Sequence, residues 1–72
     1  MFFDLTQILV SFGYAALFAG RRQEAASIWR PAVALTRDSD TLRGMIELYQ
    51  AIGDRETEVR ARATLARVEG GR

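Results

Sequence analysis

The 72-residue sequence contains no cysteine, no histidine and no lysine. Without cysteine there is no disulfide and no thiolate metal site, and the redox compartment stays open. Without histidine the commonest general base and the commonest metal ligand are missing. Without lysine no Schiff base can form. The ten positive charges are all arginine, set against nine carboxylates for a net charge of +1. A nucleic-acid binder normally shows a basic face, so no nucleic-acid partner is expected. Acid/base work would rest on Asp, Glu or Tyr alone, and no carboxylate stands in an apolar stretch that would raise its pKa. Neither an enzyme nor a bound cofactor is expected. Asp38 and Asp40 are spaced D-x-D, but no further ligands surround them. They are better read as caps of a following helix than as a metal site.

What is present is unevenly placed. Residues 1–20 hold one charged side chain, Asp4, and residues 21–72 hold all the others. A chain this short buries only about 60% of its unfolded surface. With no covalent staple, another chain is the natural source of added stability. No basic region precedes the apolar run, so a secretory signal does not fit and a cytoplasmic protein is expected.

Helix signals are frequent and strand alternation is absent, which predicts an all-α fold. Leu5 to Ala19 suits a first helix, with Asp4 as N-cap, Gln7 at the capping-box position, and Phe3 and Ile8 placed as a hydrophobic staple. Gly20 is the expected stop. A second helix is expected from about Arg22 to Leu35, with Ala25, Ile28, Trp29, Ala32 and Val33 along one side. Pro31 would kink it or restart it, since proline removes a backbone donor and clashes with the preceding turn. A turn at "TRDSD" (36–40) leads to a third helix ending at Ile52 before Gly53. Asp54 can cap a fourth helix over 55–69, whose thin apolar side reads Val59, Ala63 and Ala66, with Leu65 and Val68 beside it.

The chain also repeats. At an offset of 33 residues Leu9 meets Leu42, Phe12 meets Met45, Ala16 meets Tyr49, and Gly20 meets Gly53. Leu9, Phe12, Gly13 and Ala16, then Gly20, then Ala25, Trp29 and Ala32 follow the large-and-small spacing of a tetratricopeptide (TPR) helical hairpin, which the chain resembles. The resemblance implies two antiparallel TPR-like hairpins in one small domain, about 5–36 and about 40–69, the last helix acting as a polar cap. It departs from the pattern at Arg37, where the family often has proline, at Pro31, and at Glu58 and Arg62, where alanine and an aromatic are expected. In the hairpin, Leu9, Phe12, Gly13 and Ala16 would pack inward, small residues letting Phe12 and Trp29 interlock. Trp29 reads as a core anchor.

The resemblance also implies a binding face. Gln7, Val10, Ser11, Tyr14, Leu17 and Phe18 would fall on the concave side of the first helix, with Asp40, Arg43, Gly44, Glu47 and Gln50 at equivalent places on the third. A groove with an apolar half and a charged half suits an amphipathic or extended segment of another protein. Met1, Phe2 and Phe3 would extend the apolar half. Tyr14, Leu17 and Phe18 have an alternative use as core against the second hairpin. Arg43 and Glu47 have one as a solvated i, i+4 pair. The expectation is therefore a small adaptor or chaperone, similar in size and apolar groove to small bacterial chaperones of specialised secretion systems, with a protein partner or a second copy of itself. The alternative is a small membrane protein with one short span at about residues 2–20, flanked by Arg21 and Arg22. That run is short of the roughly 20 apolar residues a span needs.

Overall fold

A computed structural model describes residues 4–71. Among these residues the fold is all-α: α1 (Leu5–Phe18), α2 (Arg22–Trp29), α3 (Ser39–Ile52) and α4 (Arg55–Gly70), with a 3₁₀ turn at Arg30–Ala32. The expected staple residue Phe3, and Met1 and Phe2 of the expected apolar extension, lie outside the described residues.

Three helices start on an aspartate. The Asp4 carboxylate accepts the Thr6 N–H at 3.0 Å. Asp38 and Asp54 head two copies of one device, D-x-x-T. Each accepts the backbone N–H of the threonine three residues on, both at 3.1 Å, and that threonine's hydroxyl, at 2.6 Å and 2.7 Å. These bonds satisfy donors that a helix start leaves unpaired. The ends of α1 and α3 also match. Gly20 and Gly53 take left-handed φ values of +80° and +77°. The N–H of the following residue closes each turn, Arg21 onto the Ala16 carbonyl and Asp54 onto the Tyr49 carbonyl, both at 2.9 Å. This is a Schellman ending, which glycine enters without steric cost.

The second helix is shorter than expected. α2 stops at Trp29 rather than Leu35, and Pro31 sits in the first turn of the 3₁₀ element. Proline cannot donate to the preceding turn, so the chain tightens there instead of continuing. It then leaves through Thr36, whose buried hydroxyl donates to the Ala32 carbonyl at 2.7 Å.

α1 packs on α2, α3 packs on α4, and α2 joins the pairs by packing on α3. One hydrophobic cluster draws on all four helices, with Trp29, Tyr49, Leu42, Met45 and Val33 fully buried. Two polar anchors fasten the layers. Trp29 Nε1–H donates to the Val10 carbonyl at 3.2 Å, and the Tyr49 hydroxyl donates to the Ala26 carbonyl at 2.8 Å. The Arg30 guanidinium adds an ion pair to Asp54 Oδ2 at 3.1 Å.

Two inward faces differ from expectation. Phe12 does not interlock with Trp29 and is 61% exposed. Gly13 takes the place against the indole, and neighbouring positions on a helix point about 100° apart, so Phe12 turns outward. On α4 the buried residues are Thr57, Ala61 and Thr64, with Leu65 and Val68 half-buried, while Val59, Ala63 and Ala66 are exposed. Small side chains let α4 approach α3. The Thr64 hydroxyl is satisfied by donating to the Arg60 carbonyl at 3.0 Å, so threonine serves there as a β-branched core residue.

Candidate partner-binding surface

The surface expected to bind lies on α1, the most apolar helix, which carries no charged residue from Leu5 to Phe18. Tyr14 is its pivot. Its ring meets Trp29 edge-on at 5.0 Å between centroids and stacks on Phe18 at 5.9 Å. Its hydroxyl reaches towards α3, where a Cβ added to Gly44 would lie 3.4 Å from it. Tyr14 therefore spans from the core to the surface. Phe18 prolongs that aromatic pair outward and is 83% exposed.

The other expected residues divide. Leu17 is half-buried against the core, the use left open for it as an alternative. Gln7 and Ser11 are exposed. Val10 is half-buried, and with Gln7 it lines an open groove of about 730 Å³ near the start of α1. The opposite wall is Leu35, Thr36, Arg37, Asp38 and Thr41. That wall was not among the expected contacts. Its signal in the sequence is Leu35, an apolar residue between the Pro31 break and the turn cluster, and it is exposed in the structure.

On α3, Arg43 and Glu47 do not pair as expected. Arg43 bonds Asp40 at 3.4 Å and reaches across to Glu69 of α4, leaving Glu47 exposed beside it. Tyr14 and Phe18 are thus brought together, Gln7 and Val10 form a separate groove, and Arg43 is committed to ion pairs.

Electrostatics in this small fold are dominated by the caps. The hydrogen bonds from Thr41 hold the Asp38 carboxyl below the usual carboxylate range. Those from Thr57, followed by Arg30, do the same for Asp54. Burial pushes the Tyr49 hydroxyl up to about 12. Among the described residues no buried side-chain nitrogen or oxygen lacks a partner, and no group of three or more metal-ligating side chains occurs. No helix of the described residues is long and apolar enough to cross a membrane.

Compared with known proteins, the chain matches no family model, no curated protein and no solved structure.

Proposed function

We propose that the protein is a TPR-like interaction module, a small cytoplasmic adaptor or chaperone that takes up an amphipathic or hydrophobic segment of a protein partner along α1. One observation carries this reading: Phe18 stands 83% exposed on a helix free of charge, stacked on a tyrosine that is rooted against the core tryptophan. A large aromatic side chain left in water and backed by a second aromatic supplies the kind of anchor that binding surfaces use. The matching glycine endings of α1 and α3, and the antiparallel packing of each helix pair, support the TPR likeness.

The test uses labelled amphipathic helical peptides with an apolar i, i+3, i+4, i+7 face and either an acidic or a basic polar face. Fluorescence anisotropy should show saturable binding to the wild-type chain. Phe18→Glu should weaken it at least tenfold with an unchanged far-UV spectrum. Wild-type protein that binds none of the peptides, or a Phe18→Glu variant that binds as well as wild type, would overturn the reading. Leu17→Glu is unsuitable as a surface probe, because Leu17 packs on the core.

A further inference from the structure

α1 carries a second apolar face that points away from the residues packed on α2. Leu5, Ile8, Phe12, Ala15 and Ala19 recur at intervals of three and four residues. Leu5 is 66% and Phe12 61% exposed, Ala15 and Ala19 are exposed, and Ile8 is half-buried. This face is distinct from the Tyr14–Phe18 surface. Residues at that alternation form a straight seam along a helix, the geometry by which two helices pack side by side.

The order of sizes along the seam says what covers it. The large residues, Leu5, Ile8 and Phe12, occupy its first half, and the small ones, Ala15 and Ala19, its second. An antiparallel copy of the same helix, related by a two-fold axis between positions 13 and 14, sets Phe12 against Ala15 and Ile8 against Ala19. The same layers repeat in reverse on the other side of the axis. Both of these layers then join one large and one small side chain, while Leu5 falls at the margin, opposite Arg22 beyond the end of the partner helix. A parallel copy would oppose Phe12 to Phe12 and Ala19 to Ala19, crowding one layer and leaving a gap in another.

Charge agrees with the antiparallel arrangement. Asp4 lies just before α1, and Arg21 and Arg22 lie just after it, all three exposed. Antiparallel pairing brings Asp4 of each copy to the arginine end of the other. It also sets the two helix dipoles head to tail. A parallel pair would gather like charges at both ends.

We infer that a second copy of this chain covers the Leu5–Ile8–Phe12 seam, forming a two-fold antiparallel α1–α1 dimer with Phe12 packed on Ala15 of the partner. The interface is isologous, so it closes and does not propagate. α1 is 14 residues long, which makes the seam about 21 Å. That is less surface than a standard stable interface buries, so the dimer is weak and depends on concentration.

Sedimentation equilibrium over a wide range of protein concentration tests the dimer, and cross-linking tests its direction. The average mass of the wild-type chain should rise from one chain towards two as concentration increases. Phe12→Glu should hold it at one chain with an unchanged far-UV spectrum. Phe12→Ala, which adds no charge, should move the dimerisation midpoint to at least tenfold higher concentration. Because the sequence has no cysteine, Ile8→Cys and Ala19→Cys proteins can be mixed and mildly oxidised. The mixed disulfide should exceed either homodimer at least tenfold. A chain that stays monomeric at every concentration, as it would if the seam met another helix instead, overturns the inference. So does a dimer that survives Phe12→Glu, or a preference for the homodisulfides. A dimer or a bound peptide lost on Phe18→Glu and untouched by Phe12→Glu would overturn this inference and leave the proposed partner surface standing.

Discussion

The indole of Trp29 fills the space that a side chain at position 13 would occupy. A Cβ built on Gly13 would lie 1.8 Å from the tryptophan Nε1. The same Nε1–H donates to the Val10 carbonyl, so α1 and α2 are joined by a close approach and a hydrogen bond at one place. A single methyl group at position 13 forces the ring out of its pocket and breaks that bond with it.

Gly13→Ala should therefore destabilise the protein by on the order of 3 kcal/mol, the cost of overpacking a tight core. Trp29→Phe removes the part of the ring nearest position 13. It should be destabilising by itself, yet it should reduce the added cost of Gly13→Ala. Urea unfolding of the two single variants and the double variant reads this coupling. Strict additivity would mean that the clash is relieved elsewhere.

Alkaline unfolding should trace to Tyr49. Burial holds its hydroxyl protonated, with a folded pKa of about 12 against an ordinary value of 10.0. A raised pKa contributes stability that is fully present below the unfolded value and lost as pH rises through the folded one. The loss should therefore fall between about pH 10 and pH 12. With no lysine, cysteine or histidine in the chain, few other groups titrate in that window. Tyr49→Phe should cost about 1 kcal/mol at neutral pH, from the lost bond to Ala26. It should also flatten the alkaline limb of a stability–pH curve. An unchanged limb in the variant would place the titrating group elsewhere.

Acid should act on the caps with the opposite sign. Asp38 and Asp54 have folded pKa values below the ordinary 3.8. Their contribution is present above that value and is lost as pH falls through the folded one. Asparagine caps a helix as well as aspartate does but carries no charge. Asp38→Asn and Asp54→Asn should each reduce the acid sensitivity of thermal melting. Only Asp54→Asn also weakens the ion pair to Arg30, so it should lower the midpoint at pH 7 further. Equal midpoints for the two variants would show that the Arg30 pair adds nothing measurable.

The two glycine turns should respond alike. Gly20→Ala and Gly53→Ala each place a Cβ on a left-handed backbone, although nothing crowds either position. Each should cost about 1 kcal/mol, read from chemical denaturation. A loss at only one of them would show that the other turn shifts into a different ending.

Much of this architecture was readable in advance because it is local. A cap such as Asp38 with Thr41, or an ending such as Gly53 after Gln50, is decided within one helical turn, among atoms brought together by sequence distance alone. The same holds for the break at Pro31, where the missing backbone donor ends α2 in a 3₁₀ turn. The all-helical class and the burial of Trp29 followed from hydrophobic spacing.

What the tertiary structure alone decided was direction. Phe12 and Gly13 are neighbours in the chain, and only the position of Trp29, on another helix, turned glycine inward and phenylalanine out. Arg43 could have chosen Glu47 one turn away, but α4 brings Glu69 to it from 26 residues along the chain. α4 itself packs through Thr57, Ala61 and Thr64, because close approach to α3 rewards small side chains more than hydrophobic ones. Short-range bonding is written residue by residue, so the sequence alone determined the helices and most of their ends, the early stop of α2 at Trp29 excepted. The facing of each helix is a collective property of the packed layers, and so it was the fold that put Phe12, as well as Phe18, on an exposed face of α1.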